Sequence, residues 1–151
     1  MALTRTGDRW YGETHADITE YFHATADGFP IDHITESVCA GCGGRVFVIE
    51  FDESGSNAHR TCTACGQLAY LLDSEKWWDP HPDEAEARYI LECSSCDNDQ
   101  FEAAIGFTFY EEEDEIRDMV LATRCVEDGL LGYSLERKNR EFPSRHLLDK
   151  A

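Results

Sequence analysis

Cys39-Ala40-Gly41-Cys42, followed after 19 intervening residues by Cys62-Thr63-Ala64-Cys65, is the stretch that decides how this chain folds. A Cys-x-x-Cys turn lets two sulfurs converge on one ion, and two such turns complete a tetrahedron, so the spacing reads as a tetrathiolate zinc site. The pattern then begins again. Cys93-Ser94-Ser95-Cys96 is followed after 28 intervening residues by Cys125-Val126-Glu127-Asp128, where a carboxylate stands in place of the expected last cysteine. All seven cysteines of the chain belong to this pattern.

The correspondence extends beyond the cysteines. Phe47 lies eight residues after Cys39, and Phe101 lies eight after Cys93. Gly66, Leu68 and Tyr70 follow Cys62 at offsets four, six and eight, and Gly129, Leu131 and Tyr133 follow Cys125 at the same offsets. This is the signature of a tandem duplication of one unit, with Asp128 in the slot that Cys65 fills. Backbone amides that point inward at the sulfurs require tight or positive-φ turns. Gly43, Gly44, Gly66 and Gly129 supply these freely, and Asp97 and Asn98 tolerate them.

Over roughly Cys39 to Lys76 and Cys93 to Lys138 the chain resembles the zinc-ribbon proteins, and the Cys-x-x-Cys-Gly form of 39–43 and 62–66 resembles the rubredoxin knuckle. The resemblance implies ligand roles for Cys39, Cys42, Cys62, Cys65, Cys93, Cys96 and Cys125. It says nothing about a partner, because zinc ribbons serve many processes. Three outcomes stay open for the second site: ligation by Asp128 through one carboxylate oxygen, recruitment of a distant histidine such as His146, or loss of stable metal.

The expected fold class is small, metal-stapled α+β: two tandem antiparallel three-stranded zinc ribbons plus an N-terminal helix. The divisions are an N-terminal helical extension (1–38), ribbon 1 (39–76), a connection (77–92), ribbon 2 (93–138) and a C-terminal tail (139–151). A ribbon of about 40 residues is near the size at which a hydrophobic core alone is insufficient, and a structural zinc contributes on the order of 10 kcal/mol to folding.

Thirteen basic against 31 acidic residues give a formal charge of −18, and thiolate ligation makes it more negative still, since four singly charged ligands around a divalent ion leave two excess negative charges per site. That sign argues against nucleic-acid binding by phosphate neutralisation. The one short basic cluster, Arg137-Lys138-Asn139-Arg140 with Arg145, is interleaved with Glu136, Glu141 and Asp149. Met1 to Arg5 lacks the apolar core of a signal peptide, and no run approaches a membrane span, so the expected location is cytoplasmic with no membrane partner. A reducing compartment and an odd cysteine count favour metal over disulfides.

Taken in order, the chain opens with a polar segment ending in Trp10-Tyr11-Gly12, read as loose. Thr14 and Asp17 then form a capping-box pattern ahead of an Ile18, Tyr21, Phe22 stripe, which reads as a helix packed on the first ribbon and ended by Gly28. Strands are expected over 45–52, 58–61, 68–73, 87–92, 101–109, 119–123 and 130–135, the 87–92 strand entering the second ribbon. His15, His23, His59 and Arg60 read as surface or cross-strand residues. In the connection, Trp77-Trp78 precede Asp79-Pro80-His81-Pro82 and the acids Asp83, Glu84 and Glu86; the pair reads as core between the ribbons, with a partner anchor as the alternative. Glu111 to Glu115 reads as a solvated tip. In the tail, Phe142 and Leu147-Leu148 are candidates to dock back.

A closed sulfur site leaves no open position for water, and nothing in the sequence brings His33, His81 or His146 to the second one, so catalysis is not expected. The leading expectation is a non-enzymatic, zinc-stabilised acidic protein that binds a basic protein partner, as an immunity or DNA-mimic protein does. The alternative is a rubredoxin-like iron electron carrier, since both ions accept four thiolates.

Overall fold

The protein's structure, a computed structural model, describes residues 3–25, 30–52, 54–78, 89–112 and 114–151. Its elements in chain order are β1 (Thr4–Thr6), β2 (Arg9–Tyr11), α1 (Ala16–Thr25), β3 (His33–Glu36), β4 (Phe47–Phe51), β5 (Ala58–Cys62), β6 (Leu68–Tyr70), α2 (Ser74–Trp77), β7 (Tyr89–Ile90), β8 (Phe101–Phe109), β9 (Ile116–Cys125), β10 (Leu130–Lys138) and a 3-10 segment, Arg145–Asp149. The result is a small α+β protein dominated by antiparallel sheet. Gly28, the proposed helix end, lies outside the described residues, as do 79–88, with Pro80, His81, Pro82 and the acids beyond them.

The described strands join one sheet in the order β1-β2-β10-β9-β8-β4-β5-β6, with β3 also on β8 and β7 also on β4. At its centre β4 meets β8 through a single facing pair, Phe47 and Phe101. These are the two residues that stand eight positions after Cys39 and Cys93. Either side of this pair the strands correspond step by step. Phe47 faces Cys62 and Phe101 faces Cys125; Leu68 faces Thr61 and Leu131 faces Arg124; Tyr70 faces His59 and Tyr133 faces Ala122.

The segments leading into the two first turns cross over. Glu36 and Thr35, three and four residues before Cys39, face Ala104 and Ile105 on β8. Ile90 and Tyr89, three and four before Cys93, face Glu50 and Phe51 on β4. The flanking bonds match too: Ser37 N–H donates to Ala103 O (2.9 Å), and Leu91 N–H donates to Ile49 O (2.8 Å). Of the strand expected over 87–92, residues 87 and 88 lie outside the described residues, and Tyr89 and Ile90 do not pair within the second half of the sheet as expected. β7 completes the first, because β4 leaves β8 after one pair and its outer edge needs backbone partners.

The helices cross in the same sense. α1 packs on β8 and β9 rather than on the first ribbon. Ile18 and Phe22 are 1% and 0% exposed, and they pack with Ala104, Ala122 and Leu131. A side chain at Gly106 would come within 2.9 Å of the Phe22 ring, so glycine there admits the helix. The Asp17 carboxylate accepts the N–H groups of Thr14 (3.0 Å) and Glu13 (2.7 Å), the expected reach-back of a capping box. α2 in turn lies against β5, and Trp78 just beyond it meets the His59 ring at a tilt (4.7 Å) and the Tyr70 ring edge to face (5.7 Å). Trp78 is buried while Trp77 is 44% exposed beneath the Arg140 guanidinium. Trp78 thus covers the first half rather than a seam between halves.

The other face of β8, Phe101, Ala103, Ile105 and Phe107, is apolar as expected and joins a single core with Phe47, Ile49, Phe51 and Leu121. Leu147 closes that core, with Leu148 beside it, whereas Phe142 stays exposed and meets only the Tyr110 ring at 6.0 Å among the described aromatic contacts. The opening segment is not loose: β1 and β2 form a hairpin on β10 around Gly7, at φ 65°. Asp73, after β6, pairs with Arg137 on β10 and with Arg140 (2.8 Å), so those cations are engaged within the fold. The acidic tip is solvated at Glu111, Glu112 and Asp114, but Glu115 accepts the Ser144 N–H at 2.7 Å.

Because each half carries part of the other's sheet, the metal-loaded protein should unfold as one unit. Urea unfolding of a Trp10→Phe variant, in which fluorescence reports Trp77 and Trp78, should share its midpoint with far-UV circular dichroism. Separated midpoints would show independent halves.

Candidate metal centres

Each of the four knuckles, the three Cys-x-x-Cys segments and Cys125 to Asp128, is closed by the same kind of bond, from the N–H four residues on to the carbonyl of the first cysteine. Cys39 O accepts the Gly43 N–H and Cys62 O the Gly66 N–H, both at 2.8 Å; Cys93 O accepts the Asp97 N–H and Cys125 O the Gly129 N–H, both at 2.9 Å. The four donors all have positive φ, at 76°, 80°, 63° and 81°. Glycine meets that demand without strain at three of them and Asp97 at the fourth. Gly44 serves differently: a Cβ there would lie 2.9 Å from Cys62 Sγ, so its lack of a side chain admits the sulfurs.

The knuckles bring Cys39, Cys42, Cys62 and Cys65 into one cluster, and Cys93, Cys96, Cys125 and Asp128 into another, with the donor atoms of each within 4.8 Å of one another. Cys39 Sγ lies 3.5 Å from Cys65 Sγ, and Cys42 Sγ lies 3.5 Å from Cys62 Sγ. A disulfide needs about 2.05 Å, and all seven thiols are free. A tetrahedron with metal–sulfur bonds of about 2.3 Å has edges of about 3.8 Å, so the donor set fits a tetrathiolate ion. Within each cluster the first cysteine of a knuckle is buried and the second ligand is exposed. Among the described residues no histidine joins either cluster, and His59 instead faces Glu50 across the ladder, 3.1 Å from its carboxylate.

Four thiolates cannot all ionise at such distances without a cation. The Cys42 N–H holds the Cys39 thiol down at about 7 against the opposing effect of burial. The Cys65 N–H likewise lowers Cys62. The Gly44 N–H favours the Cys42 thiolate, but Cys62, Cys65 and burial push it up to about 12. Arg60 lies beneath this cluster, stacked 4.4 Å over the Phe47 ring and donating to Val38 O and Ala151 O.

In the second cluster Cys96 Sγ is 3.5 Å from Cys125 Sγ, and both Asp128 oxygens are 3.6 Å from Cys93 Sγ. The Leu130 N–H donates to Asp128 Oδ1 at 2.9 Å. The Gln67 N–H does the same for Cys65, two residues earlier in the other half. Burial opposes ionisation of Asp128, yet the Ser95 hydroxyl and the Leu130 amide outweigh it and hold the carboxyl down at about 2. Asn98 Nδ2 donates to Cys125 Sγ at 3.3 Å. The sequence reading missed Ser95 and Gln67, although both stand at fixed offsets from the cysteines.

Fold and site together define a small α+β protein with two four-donor clusters shaped to hold metal ions. No family model, curated protein or solved structure matches the chain, so its chemistry is read from its own residues.

Among the knuckle glycines Gly129 should be the least replaceable. A Cβ there would sit 2.4 Å from Gly12 O, whereas at Gly66 nothing lies within 4 Å. Gly66→Ala should cost about 1–2 kcal/mol, the penalty of positive φ alone, and Gly129→Ala distinctly more. Urea unfolding of the two metal-loaded variants gives the ranking; equal costs would remove the steric reading.

Proposed function

We propose that the protein is a tandem pair of zinc ribbons whose two ions are structural, and that its function resides in an acidic surface that binds a basic protein partner. The observation that carries this reading is the matching of the two clusters, each assembled from four donor groups on two knuckles, with Asp128 at the fourth position of the second. The matching offsets and registers support descent from one duplicated unit. A structural ion fits a site that needs no open position. The described helices include none long and apolar enough to cross a membrane.

Metal analysis tests the ligand set. The purified protein should carry two zinc ions and be colourless; Asp128→Ala should fall toward one ion, and Asp128→Cys should keep two. Two ions held at unchanged affinity in Asp128→Ala would remove Asp128 as a ligand. The exposed Cys42 and Cys65 sulfurs favour one second reading, a rubredoxin-like iron site open to electron exchange at the first cluster. A red protein containing iron would establish it.

The partner reading rests on the net charge of −18. Capture from a host lysate at low ionic strength should return basic proteins that salt releases, as expected for charge-steered association. Acidic partners, or capture indifferent to salt, would sink it.

A further inference from the structure

We propose that Ser95 is the positioning residue that makes Asp128 a metal ligand, so that the second cluster is a dedicated site of three thiolates and one carboxylate rather than a decayed copy of the first. This rests on the metal-binding reading above and adds to it a residue and a donor preference.

The two clusters differ at three linked places. Ser95 stands two residues after Cys93, where the first knuckle has Gly41. Asp128 stands where the first half has Cys65, and Leu130 where it has Gln67. In the first cluster the Gln67 side chain occupies the space over Gly41: a Cβ on that glycine would lie 2.4 Å from Gln67 Oε1, which is itself 3.4 Å from Cys39 Sγ. No hydroxyl fits there. In the second cluster the Leu130 side chain packs toward the core instead. The vacated space holds the Ser95 hydroxyl, which donates to Asp128 Oδ2 and lies 3.3 Å from Cys93 Sγ.

The three differences make one chemical change. A thiolate is large and reaches the ion with one backbone N–H to steady it. A carboxylate is free to rotate about its Cβ–Cγ bond and needs both oxygens fixed. Leu130 N–H holds Oδ1 and Ser95 holds Oδ2, so the group faces Cys93 with both oxygens at 3.6 Å. Hydrogen-bonded partners of this kind orient metal-ligating carboxylates and change affinity 10–100-fold when removed. A harder oxygen donor among the sulfurs also makes this site less selective for soft ions than the first.

The test loads the full-length protein with cadmium-113 and with zinc. The wild type should give two cadmium resonances, the second shifted toward the range of mixed sulfur and oxygen coordination. Ser95→Ala should leave the first resonance in place, displace or broaden the second, and weaken zinc binding at that site alone by about 10-fold or more; Ser95→Thr should restore both. In an Asp128→Cys background Ser95→Ala should have little effect, because its bonding partner is gone. An unchanged second resonance and affinity in Ser95→Ala would overturn the proposal. So would an equal loss in the Asp128→Cys background, which would make Ser95 part of the turn only. A wild type that binds one ion would overturn both this and the two-ion reading, whereas two ions indifferent to Ser95 would overturn this proposal alone.

Discussion

The pairing of Phe47 with Phe101 is the constraint on which the remaining arrangement depends. Each residue is the first of its strand, each faces the buried third cysteine of its own half, and both are almost wholly buried. The row Cys62, Phe47, Phe101, Cys125 crosses four adjacent strands, and three spacings of about 4.8 Å set the two cysteine backbones about 14 Å apart. Since β4 and β8 run antiparallel from this point, they separate after one pair. Each then exposes an edge that would be costly to leave unpaired. β7 and β3 fill those edges, and in doing so they tie each half to the segment that precedes the other.

The parts of this structure that the sequence announced are those encoded within a few residues. A Cys-x-x-Cys turn needs a positive-φ donor right after it, and glycines or an aspartate stand there, so the four knuckles and the donors were readable. So was β8, whose alternation runs from Phe101 to Phe109. The crossed partnerships were not, because β3 (His33-Ile34-Thr35-Glu36) has no apolar alternation and finds its partner about 70 residues later. α1 was identified as a helix, yet an apolar stripe does not say which surface it meets. The β1–β2 hairpin did carry a signal: Gly7-Asp8 between two three-residue segments is a two-residue hairpin loop. Ser95 lay in plain view but acquires meaning only when Asp128, 33 residues away, is seen against its hydroxyl.

The two halves are alike in backbone and unlike in surroundings. Tyr70 and Tyr133 hold equivalent places, but the first is covered by Trp78 and the second by Tyr21 and Phe22. Near-identical frames thus carry different coverings and different residues, Cys65 and Asp128, at the fourth position of the cluster. The backbone knuckle bonds are indifferent to whether the last donor is sulfur or oxygen, which is why the exchange of Cys for Asp leaves the register intact. What changes is the space next to that donor, and side chains at the turn residues settle it.

The crossed lead-in segments also shape how the protein emerges from the ribosome. The apolar stripe of α1 and the edge of β3 have their partners on β8 and β9, so neither can be covered until the chain has been made through about Cys125. The first four-thiol cluster, by contrast, is complete once Cys65 has left the exit tunnel. The nascent chain therefore passes through a long interval in which its first knuckles can already close around an ion while Ile18, Tyr21 and Phe22 remain uncovered. Contacts this distant in sequence slow folding and prolong exposure of apolar surface, and early capture of the ion by the first cluster is the local event that can hold the growing chain in order meanwhile.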